Sequence, residues 1–232
     1  MRVLVTADYR TLSQTAAELI VKAVRGKAGL VLGLPTGRTP VGMYDELVRL
    51  HHNQRHDFSR IRTFNLDEYA GLRPGDPNSF DTYMHRHFFD HVNIPPENTH
   101  IPHEVANYEA AIRDAGGIDL LIVGIGTNGH IAFNEPGSSF TSRTRTVNLA
   151  PETVANATKQ FGNNAVPKQA ITMGIGTILE SRHILLLASG TAKADIVRRA
   201  LHGPITESVP ASALQQHPNV IAILDEEAKS RG

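Results

Sequence analysis

The run from Ile118 to Val123 constrains this chain more than any other stretch, because Ile118, Leu120, Leu121, Ile122 and Val123 are apolar at nearly every position rather than at alternate ones. Such a strand has no polar side to turn to water. Both of its faces must be covered, and the usual solution is a parallel sheet with helices packed on each side. The run then breaks into Gly124, Gly126 and Gly129, which allow the backbone to turn tightly, and into the polar residues Asn128, His130, Asn134 and Glu135. In an open α/β sheet ligands bind just beyond the carboxyl ends of the strands, so this His and Glu stand where chemistry is expected.

The remaining pattern supplies the other layers. Arg2 to Thr6 reads as a strand, and Leu12, Ala16, Leu19, Ile20 and Ala23 recur near helical spacing over Thr11 to Val24. Leu30 to Leu34 and Ile61 to Leu66 are further strands, each followed by a helical pattern: Met43, Leu47 and Leu50 after the first, and Asp76 to His91 after the second, with Asn78 or Ser79 as its N-cap. A helix over Glu104 to Ala115 precedes the central run. Beyond it, Thr146 to Leu149, Ala170 to Met173, His183 to Ala188 and Asn219 to Leu224 read as strands, and Thr191 to Leu201 as a helix. The Thr- and Asn-rich segment Pro151 to Pro167 is the least regular part and places a candidate mobile lid within 148–167. With no internal repeat or composition break, residues 1–232 are expected to form a single α/β domain. Its architecture is a mostly parallel open sheet with helices on both faces, doubly wound and Rossmann-like.

Charge and composition narrow the partners. Lys plus Arg number 23 and so do Asp plus Glu, so no overall field draws in nucleic acid or an anionic membrane, and a phosphate must be held by local groups. The absence of cysteine removes disulfide and thiolate chemistry. The amino-terminal stretch turns polar too soon for a signal peptide, and no apolar run approaches the roughly 20 residues that span a bilayer. A cytoplasmic protein acting on a small molecule, without membrane or nucleic-acid partners, is the expectation.

Three turns carry the unusual residues. Thr36, Gly37, Arg38 and Thr39 lie between a strand and a helix start, where backbone N–H groups and the helix dipole favour a phosphate. The alternative is an ordinary βα turn with Thr39 as N-cap and Pro40 at the first helical position. Asp67 and Glu68 follow the third strand, and either is a candidate general base or merely a cap of the turn. The third is the Asn128 to Glu135 loop, where an imidazole that titrates near neutral pH stands five residues before a carboxylate. His87 and His91 have the spacing of a zinc pair but no Glu between them in the HExxH register, so no metal is expected, and Phe80, Met84 and Phe88 read as core. Without Cys or a GxSxG elbow, proton transfer on a phosphorylated small molecule outranks acyl transfer.

The strings GLPTGRTPVGMYDEL, FNLDEYAGL, DPNSFDTYMHRHFFDHVNIP, GIGTNGHIAFNEPGSSFTSRTR, VPKQAITMGIGTIL and SGTAKADIV resemble those of the glucosamine-6-phosphate deaminase family along nearly the whole chain. GHIAFNEPGSS separates it from the sister 6-phosphogluconolactonases, which continue as GHTASLFP. The resemblance implies conversion of glucosamine 6-phosphate and water to fructose 6-phosphate and ammonia in amino-sugar catabolism. This is chemistry of the hydrolase/isomerase kind without metal or organic cofactor, in a monomer or small homo-oligomer. It implies Asp67 as the base that moves a proton between C2 and C1, His130 as the ring-opening group, Glu135 as its partner and Asn128 as the residue that orients His130. The phosphate would fall to Thr36–Thr39 and Lys193. Three departures stand out. Asn128 replaces an Asp of many relatives. The lid Arg is missing from VANATKQF, where Thr158 takes its place and Lys159 is the candidate substitute. Val147 stands where allosteric members have Lys, so no activation by N-acetylglucosamine 6-phosphate is expected although Arg143 and Arg145 remain. The rivals are a lactonase-type sugar-phosphate hydrolase and a non-catalytic sugar-phosphate sensor.

Overall fold

Consecutive side chains of the central strands enter different cores. On strand Leu120–Gly124, Leu120 and Ile122 pack with Leu12, Ile20, Met43 and Leu47, whereas Leu121 and Val123 pack with Ile112, Ile178, Ile196 and Leu214. Strand His183–Ala188 divides in the same way, Leu185 and Leu187 to the first core, Ile184 and Leu186 to the second. This is the two-sided burial that an unbroken apolar run demands.

The computed structural model describes residues 1–73, 75–162 and 166–229, with the backbone alone at 159 and 160. In chain order the strands are β1 (Arg2–Thr6), β2 (Val31–Leu34), β3 (Arg62–Asn65), β4 (Asp67–Tyr69), β5 (Thr99–His100), β6 (Leu120–Gly124), β7 (Arg145–Asn148), β8 (Gln169–Thr172), β9 (His183–Ala188) and β10 (Val220–Asp225). The α-helices are α1 (Tyr9–Gly26), α2 (Val41–Gln54), α3 (Phe80–His87), α4 (Tyr108–Asp114), α5 (Pro151–Phe161), α6 (Ile175–Leu179), α7 (Ala194–His202) and α8 (Glu226–Lys229). Among the described residues seven strands form one sheet in the order β1-β10-β9-β6-β2-β3-β5, all neighbours parallel. From β2 the chain proceeds outward to β3 and β5; from β6 it proceeds the other way to β9 and β10. The strand order therefore reverses between β2 and β6, and the crevice beyond their carboxyl ends is the place where such folds bind ligands.

The structure departs from the sequence expectations in four places. Asp67 to Tyr69 is not a turn but strand β4, which joins β8 and β7 in a separate antiparallel sheet of order β4-β8-β7, so the strand expected at 170–173 belongs to that sheet. The helix expected over 76–91 is α3, capped by Ser79, followed by a 3-10 turn at Phe89–His91. The helix expected from Glu104 begins only at Tyr108. The segment read as irregular is helical from Pro151 to Phe161. Its Val, Asn and Thr are weak helix formers, and tertiary contact decides: Ala157 and Phe161 bury themselves with Tyr69, Phe80, Phe133 and Ala170 over the small sheet.

Candidate active site

The loop after β6 folds back on itself through Gly126 N–H to His130 O (2.9 Å), Gly129 N–H to Gly126 O (3.0 Å) and Asn134 N–H to Ile131 O (3.1 Å). Gly126 is required for a reason other than backbone freedom. A Cβ there would lie 2.4 Å from Cε1 and Nε2 of His130, so the imidazole rests directly on the glycine. Ala132 holds φ at 49°, a left-handed conformation uncommon for a residue with a side chain, which marks the reversal as held by its surroundings. Those surroundings are identifiable: buried Asn134 donates to Ile131 O and Met173 O and accepts from Arg145 Nη1.

This fold-back sets His130 Nδ1 3.4 Å from Glu135 Oε2, an ion-pair distance without hydrogen-bond alignment, so Nδ1 is buried with no hydrogen-bond partner. Asn128 does not touch the ring. Its Oδ1 accepts from the His130 backbone N–H (3.1 Å) and its Nδ2 donates to Glu135 Oε2 (2.8 Å), so it orients the loop and the carboxylate together. An Asp in that place would lose the donor. Glu135 Oε1 accepts a short hydrogen bond from Thr153 Oγ1. Burial alone would raise the Glu135 carboxyl, but His130, Thr153 and Asn128 outweigh it and hold it down to about 2, so it is ionised at neutral pH.

Asp67 and Glu68 are both buried, and their roles separate. Glu68 accepts from the backbone N–H groups of Tyr69 (2.7 Å), Phe80 (3.0 Å) and Asp81 (3.0 Å), closing the first turn of α3. Burial pushes its carboxyl up and the three amides pull it back only part of the way. The capping alternative therefore holds for Glu68. Removing it orphans three amides in a buried place, and we expect Glu68→Ala to cost about 3 kcal/mol of stability in urea unfolding. The Asp67 carboxylate, in contrast, accepts no hydrogen bond among the described residues. Burial, and after it the charge of Glu68, push it up to about 8. A carboxyl so raised is a stronger base once ionised than one in water.

In the turn after β2 three carbonyls are engaged by phenols while four amides are open. Tyr44 Oη donates to Pro35 O (2.6 Å), Tyr83 Oη to Gly37 O (2.7 Å) and Tyr9 Oη to Thr39 O (3.0 Å), one phenol from each of α2, α3 and α1. The N–H groups of Thr36, Gly37, Arg38 and Thr39 have no acceptor among the described residues. Pro40, not Thr39, is the N-cap of α2 and its own side chain makes no capping hydrogen bond, which corrects the ordinary-turn alternative; in the first turn the Gly42 N–H donates instead to Tyr9 Oη (2.8 Å). Lys193, half-buried at the start of α7, has its ammonium pushed down by burial while Glu152 opposes the shift.

Topology brings these parts together: Lys193 follows β9, the His130 loop follows β6, the Thr36–Thr39 turn follows β2 and Asp67 follows β3, and these four strands are adjacent in the order β9-β6-β2-β3. Thr158 is turned to its own helix, donating to Val154 O (3.1 Å), and the side chain of Lys159 lies outside the described residues. Arg143 is taken up by Glu180 and Glu109. Thr153 and the three tyrosines escaped the sequence analysis, because no spacing links them to the residues they serve.

The fold and rim define an open, doubly wound α/β protein with a buried carboxylate, a His–Glu pair and a turn of open amides at its strand ends. The chain belongs to the family described as glucosamine-6-phosphate isomerases/6-phosphogluconolactonase, whose model matches residues 6–222. It is 49% identical over 239 residues to a glucosamine-6-phosphate deaminase of Geobacillus sp. (strain WCH70), covering 99% of this chain and 95% of the relative. It is 47% identical over 242 residues to glucosamine-6-phosphate deaminase 2 of Bacillus subtilis (strain 168), covering 100% and 97%. Among solved structures, a monomeric glucosamine-6-phosphate deaminase superposes with a TM-score of 0.95 at 45% identity over 100% of both chains. The 6-phosphogluconolactonase of Trypanosoma cruzi superposes at 0.76 with 20% identity over 99% and 96%, a likeness of fold alone.

Proposed function

We propose that this protein converts glucosamine 6-phosphate and water to fructose 6-phosphate and ammonia, an isomerase-type reaction with loss of the amine in amino-sugar catabolism. The observation that carries it is the shared rim: four adjacent parallel strands bear, beyond their carboxyl ends, a turn of open amides, a buried carboxylate, a His–Glu pair and a lysine. Full-length likeness to deaminases at 45–49% identity supports the same conclusion. In the reaction, the amides of Thr36–Thr39 with Arg38 and Lys193 receive the phosphate, and Lys159 supplies a further cation from α5. His130 takes the anomeric hydroxyl proton and returns one to the ring oxygen, opening the sugar, with Glu135 stabilising the imidazolium. Asp67 removes the C2 proton and delivers it to C1, while the former aldehyde oxygen on C1 gains a proton and the amine loses one, which leaves an alcohol at C1 and an imine at C2. Water adds there and ammonia departs, so each atom of the amine and of the water is accounted for. Sheltering the carboxylate from water keeps it basic enough for C–H abstraction. Helix α5 acts as the lid within 148–167, of which 163–165 lie outside the described residues, and the monomeric state of the superposed deaminase favours a monomer or small homo-oligomer here.

The test is direct. Purified protein without added metal is expected to release ammonia and fructose 6-phosphate from glucosamine 6-phosphate in equal amounts. Hydrolysis of 6-phosphogluconolactone without ammonia release would overturn the assignment in favour of the lactonase; binding of the sugar phosphate without turnover would do so in favour of a sensor.

A further inference from the structure

The first turn of α5 reaches the catalytic loop at two points. Glu152 Oε1 accepts from Thr127 Oγ1 (3.1 Å) just before Asn128, and Thr153 Oγ1 donates to Glu135 Oε1 at the loop's far end. Seven residues separate Asn128 from Glu135, so adjacent residues of one helix clamp both ends of the segment that carries His130. The carboxylate consequently has one neutral donor on each oxygen, from two independent elements: Asn128 of its own loop on Oε2 and Thr153 of α5 on Oε1. With both in place the carboxylate cannot rotate away from His130 without breaking a half-buried hydrogen bond. At its other end α5 is anchored by an edge-on contact of Phe161 with Tyr69, ring centroids 5.1 Å apart.

We infer that Thr153 is a positioning residue for the reaction: its hydroxyl, delivered by α5, fixes the Glu135 carboxylate against His130, so the acid–base pair is complete only while that helix is seated. The inference rests on the deaminase reading above for its kinetic arm and on geometry alone for its second arm. It turns the covering helix into a contributor to ring opening. A helix that only excluded water would leave the carboxylate indifferent to it.

Thr153→Val and Thr153→Ser separate these roles, since Val keeps the shape without the hydroxyl and Ser keeps the hydroxyl. We expect Thr153→Val to lower kcat about tenfold with KM within about twofold, and Thr153→Ser to recover most of the loss. The substrate-independent arm follows the Glu135 carboxyl by carbon NMR in the free protein. The titratable group facing it is His130, and with the Thr153 donor removed the carboxyl's titration is expected to move upward from about 2, while the Ser variant titrates as wild type. Thermal melts of both variants should stay near wild type. Unchanged kcat and an unmoved carboxyl in the Val variant would overturn the inference, as would equal losses in Val and Ser variants. If wild type itself releases no ammonia, the functional assignment fails, and the carboxyl titration still decides the role of Thr153.

Discussion

Asp67→Asn is expected to be inactive and more stable than the wild type. The first half follows from its proposed role: the isosteric amide fills the same space but accepts no proton from carbon, and we expect kcat for ammonia release to fall about a thousandfold or more while the sugar phosphate still binds. The second half follows from linkage. The folded-state carboxyl is pushed up to about 8 from an ordinary value of 3.8. Between those values the folded protein holds a proton that the unfolded chain has released, so stability falls as pH rises, by up to about 1.4 kcal/mol per pH unit. An amide has no proton to lose. The variant should melt several degrees above the wild type at pH 8, and the gap should close toward pH 4, where both states carry a neutral side chain. In the wild type, kcat/KM should climb with pH until the buried carboxyl is ionised. Near-normal turnover would assign the base elsewhere; a lower melting point at pH 8 would show that Asp67 supports the fold rather than straining it.

Gly126→Ala is expected to cost about a hundredfold in kcat with the fold intact. The added methyl would sit 2.4 Å from the His130 ring, far inside contact distance, and the ring is the part able to give. A displacement near 1 Å at a reacting group is worth roughly two orders of magnitude. Gly124→Ala, two residues earlier in the same stretch, is the internal control. Its Cβ would meet nothing within 4 Å, and activity should remain close to wild type. If the two variants behave alike, the effect belongs to the backbone and not to the imidazole.

What was legible in the sequence followed from local pattern. Strand β9 occupies the predicted residues His183–Ala188 because five consecutive apolar positions, Ile184 to Ala188, carry one signal, and the central run forms β6 within two residues of expectation. The rim was legible because glycine, proline and polar residues gather where strands end. The small antiparallel sheet was not. β4 is three residues long, and β7 alternates between half-buried and exposed positions, so their pairing is fixed by contacts distant in sequence and not by their own composition. For the same reason Asp67 and Glu68 could not be told apart: the difference between them is α3, which brings its amides to Glu68 from twelve and thirteen residues away. Asn128, expected to orient His130, accepts from the His130 backbone N–H and also donates to the Glu135 carboxylate, a second partner that no spacing in the sequence predicts.

The three phenols on the turn after β2 have one more consequence. By engaging the Pro35, Gly37 and Thr39 carbonyl oxygens they leave a surface on which the open backbone groups are mostly donors. A sugar hydroxyl can serve either way, whereas a phosphate only accepts, so on the proposed reading the turn would distinguish the two ends of a phosphorylated sugar before any charge is counted. The substrate would thereby be read from one end, and that polarity would fix which carbon arrives beside the buried carboxylate.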